Sequence, residues 1–242
     1  MFSYIWHTFF FDPVYNGLVF FINVIPGGDV GLAIIATVVV VKTILLPLSI
    51  KAAKTQRIMR EIEPKLKEIK EKFKDKREEQ ARAMMEIYKE AGMNPFASIF
   101  LIFLQIPIII AIYFSVYSGG GIKLPEINTD ILYSFAMIPD IVNMNFIGKI
   151  DITERSILLA ALAGITQYFQ VKIAMPKLAP KDPEAAPDFK ADLMRNMQLQ
   201  MRYVMPVIIF FVAYSISAAI ALYFFVSNLM AIAQELYVKR HR

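Results

Sequence analysis

The chain has 242 residues, of which 57% are apolar and 13% aromatic, and a mean hydropathy of +0.49; soluble globular domains hold about 45–50% apolar residues, so this composition belongs to a membrane protein. It contains no cysteine, and its two histidines, His7 and His241, stand at opposite ends, which excludes disulfides, thiolate chemistry, an interior imidazole triad and a His/Cys metal site. The net charge of +5 is small, and its distribution along the chain says more than its size.

Residues 1–29 are rich in aromatic side chains and carry no Lys or Arg. The basic start of a signal peptide is missing, Asp12–Pro13 interrupts the apolar run and no small-residue cleavage site follows, so the segment is expected to be an amphipathic helix in the membrane interface. A first span is expected at residues 30–50. From 51 to 94 the chain turns polar, with thirteen Lys/Arg against nine Asp/Glu. Ile58, Ile62, Leu66, Ile69 and Phe73 recur there at helical spacing and form an amphipathic stripe. A second helix offers Met84 and Met85 to that stripe before Gly92 ends it. The expectation is an antiparallel helical hairpin whose cations suit anionic lipid head groups or a ribosome, with no direct nucleic-acid specificity.

A second span is expected at 95–117, an extracytoplasmic loop at 118–155, a third span at 156–174 and a second basic loop at 175–202. Residues 203–238 form the last apolar stretch, and 239–242 a basic tail. The 118–155 loop has three basic residues against five acids, whereas 175–202 has five basic residues. The positive-inside rule then places the N-terminus outside and the basic segments in the cytoplasm. Both ends of 203–238 must lie on one side, and a single helix of that length would run roughly 52 Å across a core of about 30 Å. It is therefore read as two spans with a reversal near Tyr214–Ser217. Ile131–Gly148 is apolar enough to compete as a sixth span, but Pro139–Asp140 at its centre favours a loop packed at the outer interface. The fold class is all-α: five transmembrane helices, a cytoplasmic hairpin and an N-terminal interfacial helix.

Polar residues inside spans are costly and face a partner or water. Lys42, Gln105, Gln167 and Asn228 stand eight, nine, seven and about nine residues from the cytoplasmic edges of their spans, a shared depth of roughly 10–14 Å at 1.5 Å per residue. Thr43 adjoins the lysine and Gln234 lies lower on the last span. No acid shares this depth, and a lysine stem of about 6 Å covers only half the way to the boundary, so a water-filled groove open to the cytoplasm is expected. Taken singly, each amide is more simply read as glue between helices. Such a groove lets a polar segment leave water partway across while a hydrophobic segment slides into lipid, and no nucleotide-binding loop accompanies it. A small solute transporter or lipid scramblase could use the same cavity, but the odd span count and lack of an inverted repeat oppose that. An intramembrane protease would need paired aspartates or a serine with a histidine within the spans, and a scaffold would leave the spans inert.

Four ordered segments resemble the YidC-type membrane protein insertases of the YidC/Oxa/Alb family: VKTILLPL at Val41–Leu48, IEPKLKEIKEK at Ile62–Lys72, EAGMNPFASIFLIFLQIP at Glu90–Pro107, and Met205–Gln234 with Leu222–Tyr223, Asn228 and Gln234. GITQ at Gly164–Gln167 is similar to the third-span signature. The resemblance implies a minimal form without a large extracytoplasmic domain, in the bacterial plasma membrane. It also implies that Lys42 is the groove's basic residue where the family usually has arginine, that Tyr223 lines the groove, and that the hairpin recruits substrate. Its implied partners are newly made membrane proteins, the lipid bilayer, the Sec translocon and the ribosome. No cofactor and no covalent step are expected.

Overall fold

The computed structural model describes residues 2–74, 76–92, 96–118, 121–175 and 195–240. The expected start of the second span at Asn94–Pro95, most of the 175–202 loop and tail residues His241 and Arg242 lie outside the described residues. The protein is an all-α membrane protein. An opening turn Phe2–Trp6 and a π-helical turn His7–Phe11 lead into α1 (Asp12–Val24). There follow α2 (Val30–Ile44), α3 (Leu46–Lys72), α4 (Arg77–Glu90), α5 (Phe96–Tyr117), α6 (Ile157–Ala174), α7 (Arg195–Ile216) and α8 (Ala218–Arg240). Helices α6, α7 and α8 are each long and apolar enough to cross a membrane. Val30–Ile44 qualifies together with Leu46–Thr55 as one bent span, and the apolar part Phe103–Tyr117 of α5 is shorter. Between α7 and α8 the helix stops at Ser217, whose backbone is extended.

Two compact units divide the chain: Met1–Thr43 with Pro107–Arg242, and Ile44–Ile106. Within the first, α6 packs along both α7 and α8. The contact surfaces are built from small residues, with Ala160, Ala163, Gly164, Ala213, Ala218, Ala219 and Ala221 all buried, because small side chains let helix backbones approach where no hydrophobic force drives them together. Within Met205–Ile216, α7 buries only Pro206 and Ala213 and leaves Val207, Ile208, Phe211 and Val212 exposed, the pattern of a helix bathed by lipid along most of its surface.

The 118–155 loop ties these helices together at one end. It holds a 3-10 turn, Thr129–Ile131, and a hairpin of β1 (Asn145–Phe146) and β2 (Ile150–Asp151), antiparallel with Phe146 opposite Ile150. Ile131–Gly148 is irregular apart from the end of that turn and β1. The buried Asn16 amide reaches the loop from α1, donating to the Ile131 carbonyl at 2.8 Å and accepting from the Tyr133 amide at 2.6 Å. The buried Tyr15 hydroxyl accepts from Asn128 N at 2.8 Å. Phe11, Tyr15 and Val19 form a small core with Trp6, Ile127, Ile131 and Leu132. Asp29 caps α2, accepting Leu32 N at 3.0 Å. Ser156 caps α6 through Leu159 N at 3.3 Å. The amides that begin α8, which have no partner within the helix, are taken up by loop carbonyls, Ala218 N by Glu154 at 2.6 Å and Ala219 N by Ile152 at 2.9 Å.

In the second unit α3 and α4 fold back on each other, and between them Lys76 N donates to the Phe73 carbonyl at 3.1 Å in a turn. Gln80 Nε2 fastens the turn by donating to the carbonyls of Lys70 and Phe73 at 3.1 and 3.4 Å, and Lys76 pairs with Glu79 at 2.9 Å. Leu66 is buried; Ile58, Ile62, Ile69, Phe73 and Met84 are half-buried, and Met85 is exposed. Two helices alone offer little interior, so one leucine forms the centre of the pair and its neighbours stay partly wet.

Candidate functional site

Lys42 lies in the last turn of α2 and is half-buried. Thr43 beside it is exposed, and its hydroxyl donates to the Val39 carbonyl of its own helix at 2.7 Å, the usual resting bond of a threonine in an apolar helix. On α6, Gln167 is half-buried and its Nε2 donates to Gln170 Oε1 one turn on, at 3.3 Å. Gln234 on α8 is likewise half-buried. Gln105 on α5 is half-buried and belongs to the second unit.

The remaining two predicted residues sit differently. Asn228 is buried, and its Nδ2 donates to the Ala163 carbonyl at 3.2 Å and to Thr166 Oγ1 at 3.3 Å. That joins α8 to α6. The Thr166 hydroxyl in turn donates a hydrogen bond to the Leu162 carbonyl at 2.7 Å, so the cluster is closed on itself. Tyr223 is 1% exposed, and its hydroxyl has no hydrogen-bond partner of good geometry. Of the predicted polar positions in the first unit, Lys42, Thr43, Gln167 and Gln234 are therefore the accessible ones, and Asn228 and Tyr223 are taken up in packing.

Cations mark the far end of α6. The Lys239 ammonium donates to the Ile173 carbonyl, placing a positive charge on the unsatisfied carbonyls of a helix C-terminus, and Lys172 lies over the Tyr168 ring at 5.6 Å. Between α6 and α7 a cleft of about 420 Å³ is lined by Ala161, Gly164, Ile165, Tyr168, Pro206 and Phe210 among others, and is apolar. Among the described residues no group of three His, Asp or Glu stands close enough to hold a metal ion.

Sequence reasoning missed the residues that organise the opposite end. Asn16 is a lone amide within an aromatic helix, and Asp29 directly precedes an apolar run, the ordinary signature of a helix start; both signals were readable, but their partners more than a hundred residues away were not.

Apolar helices of spanning length, small-residue contacts between them, and a lysine and two glutamines left half-buried on those helices define an integral membrane protein that keeps polar groups within its spans. The model of the family described as 60Kd inner membrane protein matches residues 21–242, and the chain belongs to this family. It is 29% identical over 239 residues to membrane protein insertase YidC 2 of Bacillus anthracis, covering 97% of this chain and 81% of that one. With membrane protein insertase YidC of Clostridium tetani it shares 30% over 215 residues, covering 89% and 84%. Its similarity to membrane protein insertase YidC of Shewanella halifaxensis, 31% over 225 residues, covers 92% of this chain and 35% of that longer one. Its place is the bacterial inner membrane.

Proposed function

We infer that the chain is a membrane protein insertase, acting on membrane proteins at the lipid bilayer. The observation that carries this is the family match over residues 21–242, with relatives so named along most of their length. The half-buried Lys42, with Thr43, Gln167 and Gln234, supports a mechanism in which water enters the cytoplasmic halves of the spans. Moving a charge to the bilayer centre costs from about 2.5 to over 10 kcal/mol, and a wet inner half removes part of that barrier for a polar client segment. Lys42 attracts client carboxylates, and the lipid-facing α7 offers a surface along which a hydrophobic client helix leaves. Asn228 and Tyr223 hold the α6–α8 wall of this path. The α3–α4 hairpin captures clients through its partly exposed stripe, and its cations receive them from the ribosome or beside the Sec translocon. No covalent bond changes.

Purified protein in liposomes, given a single-span client with an acidic translocated tail and scored by protease protection, tests the reading. Lys42→Ala lowers the protected fraction several-fold, Lys42→Arg restores it, and a client with an uncharged tail is little affected. Wild-type protein that fails to protect the client while raising solute or lipid flux would return the transporter or scramblase reading.

A further inference from the structure

The 118–155 loop carries an apolar rim that the fold leaves uncovered. Phe135, Met137, Ile138, Ile141 and Ile147 are 59%, 68%, 59%, 61% and 64% exposed, and the only charge between Tyr133 and Gly148 is Asp140. Backbone bonds to the start of α2 fix its height. Asn143 N donates to the Gly28 carbonyl at 2.9 Å, and Val30 N donates to the Asn143 carbonyl at 3.0 Å. A Cβ on Gly28, which has φ +63, would stand 2.0 Å from the Ile141 carbonyl oxygen, so the loop lies directly against the entrance of the span. The Asp29 carboxylate then joins the two surfaces: one oxygen accepts Leu32 N at 3.0 Å and the other accepts Ile147 N at 2.7 Å. Leu32 is an exposed residue in the first turn of a span, where its surroundings are lipid. Ile147 is held one carboxylate away from it.

Ile147 has φ +51 and Gly148 φ +69, both in the left-handed region that Asn and Gly enter with little strain. A β-branched residue is sterically disfavoured there, and within this chain its side chain gains little burial in return. We propose that Ile147 at the hairpin tip, with Phe135, Met137, Ile138 and Ile141, inserts into the head-group and upper acyl region of the leaflet on the loop's side, seating the loop on the bilayer. The rim is continuous with α1, where exposed Phe20 packs edge-to-face on Phe135 at 6.2 Å. Continuity with the lipid-facing Leu32 selects lipid over a protein partner as the occupant. This inference stands apart from insertase activity, and its test makes no use of that activity.

The full chain is reconstituted in phosphatidylethanolamine/phosphatidylglycerol vesicles with Trp6→Phe, which removes the single tryptophan, combined with Ile147→Trp, Ile138→Trp or, as a control on an exposed polar site, Glu126→Trp. Lipid brominated near the head group quenches positions 147 and 138 several-fold more steeply than 126, and aqueous iodide shows the reverse order. Iodide reaching 147 and 138 as readily as 126 overturns the proposal. So does iodide protection without bromolipid quenching, or protection lost when the protein is diluted in lipid, since either assigns the rim to a protein surface. Ile147→Asn gives a second readout: it supplies the residue the turn favours, so thermal stability in detergent is kept or raised while bromolipid quenching at Ile138→Trp falls. A loss of stability in detergent would show that the fold, not the leaflet, uses the isoleucine.

Discussion

Asn16 uses its whole amide: Nδ2 donates to the carbonyls of Asp12 and Ile131 at 2.8 Å each, and Oδ1 accepts from Tyr133 N. Replacing it with alanine leaves the Ile131 carbonyl and the Tyr133 amide without this partner, at a cost of about 1–3 kcal/mol for each group that stays buried and unsatisfied. Asn16→Ala therefore lowers the thermal midpoint in detergent by far more than Asn145→Ala at an exposed position. Tyr15 sets a pH limit on the same contact. Burial pushes its pKa above the ordinary 10.0, and the hydrogen bond from Asn128 N offsets this only in part. Because the folded pKa lies above the unfolded one, the folded state holds its proton longer; the contribution is complete below pH 10 and is lost as pH rises through the folded value. An alkaline titration followed by circular dichroism shows a stability loss above pH 10 that is shallower in Tyr15→Phe.

At the scale of elements, the contact between α6 and α7 depends on Gly164. A Cβ there would come to 3.1 Å from the Pro206 carbonyl oxygen and 3.2 Å from Phe210 Cβ, tight enough that one helix must shift. Gly164→Val destabilises by about 1–3 kcal/mol through overpacking, and Gly164→Ala by less, read as thermal midpoints and as weaker disulfide cross-linking of cysteines introduced on the two helices. The apolar runs that become α2, α6, α7 and α8 are legible from hydropathy alone, since a bilayer of fixed thickness leaves few other uses for them. Contacts between them are not. Asn228 shows why: its depth along α8 can be counted, but whether it faces water or Thr166 depends on the rotation of the helix, which an almost uniformly apolar sequence does not specify. Asn16 and Asp29 are the same problem across a longer interval, since hydrogen bonds spanning more than a hundred residues leave no local pattern.

At the scale of the whole molecule, the division into two compact units separates two kinds of stability. The first unit is a membrane bundle tied by loop 118–155, and the second includes a polar helix pair with Leu66 at its centre. Leu66→Asp places a charge at the one buried position of the stripe and unfolds the pair locally. Limited proteolysis then cuts within residues 55–90, while the thermal transition of the bundle moves little and capture of client falls. A hairpin reduction larger than the bundle's own shift is the expected signature; equal shifts in both would mean the units unfold as one.

The two amides at the start of α8 rest on carbonyls of Glu154 and Ile152, which precede them in the chain by some sixty residues. The last helix therefore has its first turn capped by the loop that precedes α6 rather than by a side chain of its own. A substitution that displaces the backbone at Ile152 or Glu154 thus uncaps a helix that begins far downstream, and loop and closing helix loosen together.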